Sequence, residues 1–166
     1  MKKANRLKKA NHWWFNAGLG ACKVNRRGEY PSLGINFSYQ IKRSLISLRC
    51  IYNFEFEILE PSPSESVWDV GALYGRFAKA SYGFASVSGG VSYVGGVRRG
   101  RLLSSSGWFS EKYEKLTFNT VGIPIEGQLF WTPTSFFGIG ICGFANMNPE
   151  KSFFGGLLCI KIGKLR

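Results

Sequence analysis

Residues 46–58 read Ile-Ser-Leu-Arg-Cys-Ile-Tyr-Asn-Phe-Glu-Phe-Glu-Ile, and this stretch decides the fold class. Apolar side chains occupy every even position from Ile46 to Ile58, whereas the odd positions carry Ser, Arg, Ile, Asn and Glu. Side chains of a β-strand point alternately to opposite faces of the sheet. A period of two therefore predicts a strand with one apolar face and one largely polar face.

The same alternation recurs along the chain. Residues 33–42 alternate apolar side chains with Gly, Asn, Ser, Gln and Lys, and residues 85–93 alternate small or apolar side chains with Ser and Gly. With the weaker stretches, the pattern predicts eight strands, at 13–24, 31–42, 45–59, 67–77, 82–97, 115–131, 136–146 and 152–164. In the sixth strand the alternation changes phase between Phe118 and Ile123, which predicts a β-bulge.

The predicted connections alternate in length. Short turns follow the second, fourth and sixth strands, whereas longer loops follow the first, third and fifth, and the 98–114 loop is the longest. Short turns at one end and long loops at the other are typical of outer-membrane barrels. We therefore expect one all-β domain over residues 13–166, an eight-stranded antiparallel up-and-down transmembrane β-barrel. A basic tail over residues 1–12 precedes it, and both termini lie at the periplasmic end.

Composition excludes several classes of protein. The chain has 166 residues, of which 16% are aromatic, and its 22 Lys and Arg against 10 Asp and Glu give a net charge of +12. That length is typical of one domain, and the apolar content excludes a disordered chain. No apolar run approaches the roughly 18 residues of a membrane-spanning helix. The basic start resembles that of a signal peptide, but no apolar segment follows it, so the export route stays open.

The polar faces of the predicted strands are mostly Gly, Ser and Asn, with a few charges of both signs. A sheet facing water would be richer in Lys, Glu and Thr, whereas small residues with matched charges suit the narrow lumen of a membrane barrel. We therefore predict a lumen charge network of Arg49, Glu55, Glu57 and Glu126. A soluble, lipocalin-like barrel that binds a small apolar ligand is the alternative.

Aromatic residues lie near the predicted strand ends, where the two membrane interfaces of a barrel would be. These interfacial residues are Trp13, Trp68, Tyr82 and Trp131. Their amphipathic rings suit the headgroup region, so they are predicted to form the aromatic girdles of a membrane barrel.

This pattern resembles the small eight-stranded outer-membrane barrels of the OmpA and OmpX type. Residues 122–125 (Gly-Ile-Pro-Ile), 137–140 (Phe-Gly-Ile-Gly) and 145–148 (Ala-Asn-Met-Asn) look like segments of barrel-type envelope proteins of Bacteroidota. The resemblance covers about residues 13–166 and implies a location in the bacterial outer membrane.

Five arginines fall in two of the predicted outer loops: Arg26, Arg27, Arg98, Arg99 and Arg101. Guanidinium groups bind phosphate in a bidentate way, so these residues are candidates for contacts with lipopolysaccharide phosphates or an acidic partner. Solvated loops explain them equally well. A basic nucleic-acid-binding β-protein is the least favoured reading, because an RNA platform places basic and aromatic residues together on exposed strands.

Signs of catalysis are absent from the sequence. The one histidine, His12, precedes the first strand, which argues against a Ser-His-Asp or Cys-His machine and against a histidine-rich metal site. Residues 138–143 match GxGxxG, but the alternation continues through them as strand, whereas a dinucleotide site needs a helix there. Cys22, Cys142 and Cys159 fall on strands that become neighbours on closure, and either a disulfide or free thiols fit.

These observations predict a non-enzymatic barrel with no metal and no cofactor. Eight strands enclose only enough space for side chains, so the lumen should be filled rather than open. The outer wall, the loops or the tail would then carry the function, as a structural or accessory subunit of a cell-envelope complex. The expected partners are outer-membrane lipid, lipopolysaccharide and other envelope proteins, and not nucleic acid.

Overall fold

The computed structural model of the chain describes residues 12–24, 28–55, 62–105 and 111–165. Its elements are eight strands: β1 (Trp13–Val24), β2 (Glu29–Ile41), β3 (Ser44–Phe54), β4 (Ser66–Lys79), β5 (Gly83–Ser105), β6 (Glu111–Trp131), β7 (Phe137–Met147) and β8 (Phe153–Lys164). Within the described ranges, no helix has the length and apolar character needed to cross a membrane.

The eight strands close into a barrel. Each strand pairs antiparallel with the next, and β8 pairs with β1, where Trp13 lies opposite Lys164. We call the end that contains this pair and the turns at 42–43, 80–82 and 132–136 the terminal end, and the opposite end the loop end. The predicted all-β, eight-stranded, antiparallel up-and-down architecture is confirmed.

The prediction that 98–114 is one long loop is wrong. β5 continues to Ser105 and β6 begins at Glu111, so the two strands form an extended hairpin at the loop end. Arg98 pairs with Leu116 and Leu102 with Tyr113 across it. Charged side chains suggested a loop, but above the membrane surface a strand can keep its hydrogen bonds while its side chains meet water.

The predicted bulge between Phe118 and Ile123 is also wrong. The pairing of β5 with β6 keeps one register from Gly83 opposite Trp131 to Arg99 opposite Lys115, and its irregularities fall between Arg99 and Ser104. Phe118 is 7% exposed and points inward, as do Gly122, Pro124 and Glu126 farther along β6. The apparent change of phase in β6 thus arises because Phe118 is an apolar residue that faces the lumen.

The interior has three layers, each built by inward-facing residues of several strands. Apolar side chains fill the terminal end (Trp14, Leu45, Phe84, Phe130 and Leu165) and the region toward the loop end (Val24, Val67, Phe118, Phe144 and Phe153). Polar and charged side chains lie between them, namely Asn16, Asn36, Arg49, Asp69, Glu126, Gln128 and Asn146. The interior is thus a packed core with a polar middle.

The outer wall is apolar on every strand. Leu19, Leu48, Val87 and Leu158 are each 59–68% exposed, and outward residues of all eight strands join them in one belt. A monomeric soluble protein seldom exposes a contiguous apolar patch larger than a few hundred Å². This arrangement is the reverse of a lipocalin-like barrel, in which apolar residues line the cavity, and it gives that alternative no support.

Candidate functional site

An ion pair between β3 and β4 occupies the centre of the lumen. Nη2 of Arg49 lies 2.5 Å from Oδ2 of Asp69, and both side chains are at most 1% exposed. Nη1 of Arg49 lies 3.8 Å from Oε2 of Glu126 on β6, and it donates a 3.2 Å hydrogen bond to the carbonyl oxygen of Ile125. One guanidinium therefore connects two carboxylates across the barrel.

Amide side chains donate hydrogen bonds to one oxygen of each carboxylate. Oε1 of Glu126 accepts hydrogen bonds from Asn36 (2.8 Å) and Gln128 (2.5 Å), and Gln128 in turn accepts one from Asn16 (3.3 Å). Asn146 donates to Oδ2 of Asp69 at 2.8 Å. Buried charge is tolerated only when it is paired and hydrogen-bonded, and here both acids are.

The central network closes the lumen. The cavity between Asn16, Arg49 and Glu126 has a volume of about 10 Å³, which is room for one water molecule at most. A space of this size between these side chains does not admit a solute. The geometry therefore suits a structural plug rather than a pore.

A buried lysine lies among aromatic rings on the terminal side of this network. Nζ of Lys161 is 3.6 Å from the ring centroid of Phe84, 3.8 Å from that of Phe130 and 4.5 Å from that of Trp14. Among the described residues it has no hydrogen-bond partner. Ring faces carry partial negative charge, so the three rings stabilise the ammonium in place of water.

A second charged cluster lies at the loop end. Oε2 of Glu65 accepts hydrogen bonds from Nζ of Lys151 (2.6 Å) and the hydroxyl of Tyr30 (3.1 Å), and Oε1 accepts one from the backbone N–H of Arg99 (2.9 Å). Burial alone would raise the pKa of Glu65. The Lys151 ammonium and the Arg99 N–H outweigh it and hold that pKa below its ordinary value.

The predicted lumen network contains residues from two separate places. Arg49 and Glu126 lie together in the central layer, but Glu55 pairs with Arg99 at 2.5 Å in the loop-end cluster. The grouping of Glu55 with Arg49 is therefore wrong: they are six residues apart on one strand, which is roughly 20 Å. Glu57 lies outside the described residues.

The predicted loop arginines lie in different settings. Arg98 and Arg99 belong to β5, and they pair with Glu150 (3.0 Å) and Glu55, respectively. Arg101 is exposed on the extended hairpin, whereas Arg26 and Arg27 lie outside the described residues. Arg98 and Arg99, two of the three described arginines, therefore form ion pairs with carboxylates of this chain.

Three of the predicted interfacial aromatics lie at the terminal end. Trp13, Tyr82 and Trp131 are 47–60% exposed there. Trp68 lies toward the loop end, half-buried, where its ring covers Gly95 on β5 and contacts Tyr93 at a centroid distance of 5.8 Å. A Cβ at Gly95 would come within 2.6 Å of the Trp68 ring, so this close approach requires glycine.

The structure also shows where the cysteines, the GxGxxG match and the histidine lie. All four cysteines are free thiols, with Cys22, Cys142 and Cys159 buried. Residues 138–143 continue as strand β7, so the GxGxxG match opens no helix. Nδ1 of His12 lies 3.2 Å from the carbonyl oxygen of Lys164, and burial and the Lys79 ammonium lower the pKa of His12. In the described part of the chain, no three His, Cys, Asp or Glu side chains are grouped as metal ligands would be.

Sequence reasoning missed four residues that carry these clusters, namely Asp69, Asn146, Glu65 and Lys151. Asp69 had a usable signal, because it lies between Val67 and Gly71 on the inward side of β4. Glu65 and Lys151 lie just outside strands, where alternation says nothing about direction.

Comparisons with known proteins identify the fold. No family model matches the chain, and no curated protein is similar to it in sequence. Among solved structures, Neisserial surface protein A matches with a TM-score of 0.63 at 10% identity, covering 94% of this chain and 97% of that one. Ail, the attachment invasion locus protein of Yersinia pestis, matches with 0.59 at 10%, covering 92% and 96%. The N-terminal barrel domain of Pseudomonas aeruginosa OprF matches with 0.56 at 10%, covering 90% and 96%.

These neighbours are small barrels, and two of them are surface or outer-membrane proteins by name. The agreement extends over nearly the whole of each chain, and the apolar belt is what such a protein presents to lipid. The chain has the fold of the small eight-stranded outer-membrane β-barrels, the class that its alternation predicts.

Proposed function

We propose that the protein is a non-enzymatic barrel of the bacterial outer membrane, acting as a structural or accessory subunit of a cell-envelope complex. The packed lumen supports this proposal: the cavity between Asn16, Arg49 and Glu126 has a volume of only about 10 Å³, which leaves no room there for a transported solute or a bound ligand. What is left to interact is the outer wall and the two ends.

The outer wall offers a place for a membrane partner. Gly127, Gly143, Gly156 and Ala21 are in register on β6, β7, β8 and β1, and all four point outward. A Cβ added at Gly143 would meet nothing within 4 Å, so the barrel itself does not require glycine there. Small residues let another backbone approach closely within a bilayer, which favours a protein partner on this row.

The experiment compares wild-type and Gly143→Leu/Gly156→Leu protein by native gel electrophoresis of detergent-solubilised envelopes. We expect wild type in an assembly larger than one barrel, and the double variant as the barrel alone. Ala72→Leu, an outward small-to-large change elsewhere on the wall, is the matched control and should stay assembled. Wild type that migrates as a single barrel would remove the subunit role.

We also propose that the loop end contacts lipopolysaccharide phosphates. Exposed Lys23, Arg101, Lys112 and Lys115 support this contact together with Arg98, whose bond to Glu150 is partly exposed and open to exchange. Arg101→Ser/Lys115→Ser should weaken lipopolysaccharide retention most at low salt, where these charges are least screened, without changing heat-modifiable migration on gels. Unchanged retention at every salt concentration would argue against the contact.

A further inference from the structure

Charge is distributed unequally between the two ends of the barrel. Of the described acidic residues, Asp69 and Glu126 are buried in the central lumen, and the others belong to the loop end. No described Asp or Glu lies at the terminal end. Basic residues do lie there: Lys42, Arg43, Arg76, Lys79 and Lys164.

These five residues form what we call the basic arc. Lys42 and Arg43 form the β2–β3 turn. Arg76 and Lys79 are in the last four residues of β4, and Lys164 is the last residue of β8. The strands from β8 through β1 to β4 are consecutive around the barrel, so the arc covers one half of this end. The other half carries exposed Tyr82, Trp131 and Phe136 and no charged residue in its turns.

Four cations of the arc are exposed and have no acidic partner among the described residues. Lys42, Arg43, Arg76 and Lys164 make no salt bridge to any described Asp or Glu, in contrast to Arg98, Arg99 and Lys151 at the loop end. Exposed aromatic residues lie next to these cations, as they do at a membrane interface. Trp13 is opposite Lys164 in the β1–β8 pairing. Tyr74, whose hydroxyl is hydrogen-bonded to Ser44, is two residues from Arg76 on β4.

We propose that the basic arc binds the phosphate of anionic phospholipids in the inner leaflet of the outer membrane. With its long loops outward, the barrel directs its terminal end toward the periplasm and so toward that leaflet. Lys and Arg near an anionic lipid surface are attracted to it, and arginine forks hold phosphate oxygens in pairs. A one-sided arc also selects which side of the barrel these lipids occupy, with aromatic rings anchoring the other.

The experiment uses the full chain, purified in detergent and mixed with equal amounts of phosphatidylglycerol and phosphatidylethanolamine. Native mass spectrometry measures the ratio of the two lipids retained. We expect wild type to favour phosphatidylglycerol, and a terminal-end variant to lose at least about tenfold of that preference. That variant combines Lys42→Asn, Arg43→Gln, Arg76→Gln and Lys164→Gln, with Asn chosen at 42 because the residue there has φ 59°.

A matched control removes the same charge from the other end, through Lys23→Gln, Arg101→Gln, Lys112→Gln and Lys115→Gln. It should keep the phosphatidylglycerol preference while losing lipopolysaccharide, which separates this inference from the loop-end contact proposed above. Arg43→Lys/Arg76→Lys, which preserves charge, should retain most of the preference.

Three results would overturn the proposal. The terminal-end variant could keep the wild-type preference, or both variants could lose it equally, which would make net charge the cause. Alternatively, only binding to purified peptidoglycan could fall, which would assign the arc to the cell wall. If the fourfold variant does not fold, as judged by heat-modifiable migration, the Lys42→Asn/Arg43→Gln pair alone is compared with Arg101→Gln/Lys115→Gln, and the same results decide.

Discussion

Arg49 and Asp69, on neighbouring strands, form an ion pair of 2.5 Å at the centre of the barrel, shielded from solvent by aromatic side chains on both sides. Because Glu126 shares the same guanidinium, removing Arg49 leaves two carboxylates without their cation. The charge balance of the central layer therefore depends on one residue.

Arg49→Met should destabilise the folded barrel by about 3–5 kcal/mol, since it leaves buried charge uncompensated. Arg49→Met combined with Asp69→Asn and Glu126→Gln should recover most of that loss. The measurement is urea unfolding of the protein refolded in lipid. Arg101→Met, at an exposed position, should change the unfolding free energy by no more than about 0.5 kcal/mol. Strict additivity of the three substitutions would contradict a shared network.

Lys161→Met tests the role of the ammonium that lies among the rings of Trp14, Phe84 and Phe130. Methionine retains much of the volume and removes an ammonium whose Nζ has no hydrogen bond among the described residues, so we expect stability to be unchanged or raised. Lys161→Ala should lower it by about 2–5 kcal/mol, because it opens a cavity. Equal losses in both variants would show that the charge itself, and not its volume, holds the layer together.

Glu65 should make the loop end sensitive to acid. Its folded-state pKa is below the ordinary value of 4.5, so its stabilising contribution is complete above that value and is lost as pH falls through the folded pKa. The protection factor of the Arg99 amide against hydrogen exchange, corrected for the intrinsic rate at each pH, should therefore fall below about pH 4.5 in wild type. Glu65→Gln should have a lower protection factor at neutral pH and little further change in it on acidification, whereas Glu150→Gln should follow wild type.

Leu48→Arg tests the lipid-facing wall. Leu48 is 59% exposed at mid-strand, and an arginine near the bilayer midplane costs about 2–4 kcal/mol and impairs insertion. Leu103→Arg, equally outward but on the extended hairpin, should cost no more than about 1 kcal/mol. Both are measured as folded yield on heat-modifiable gels. Tolerance of arginine at position 48 would mean that this face meets water.

The strands were predictable because each carries its own evidence. The alternation of Leu48 with Arg49 assigns both the element and its two faces, and repeating this along the chain gives the barrel. The pairing of one strand with another cannot be predicted from a local pattern. Arg49 meets Asp69 only because β3 and β4 have a particular register, and the sequence of residues 46–58 does not determine that register. Glu55 shares a face with Arg49, but the distance along the strand already argued against contact.

Apolar residues inside the barrel explain the remaining errors. Phe118 and Val94 fill the lumen toward the loop end, so a rule that apolar means outward fails there. The loop-end cluster was hidden for a different reason. Glu65 and Lys151 precede β4 and β8, which lie on opposite sides of the ring, so the two residues meet only across the closed barrel, and both lie just outside their strands.

Spin labels at positions 46, 48 and 52, with the native cysteines replaced by serine and the protein reconstituted in phospholipid bilayers, test the membrane barrel most directly. Collisions with lipid-soluble oxygen and with a water-soluble nickel complex are measured at each site. We expect oxygen to dominate at all three outward positions and most strongly at 48, nearest the middle of the membrane. Low collision rates with both reagents, or a higher rate with nickel at position 48, would contradict a wall that faces lipid.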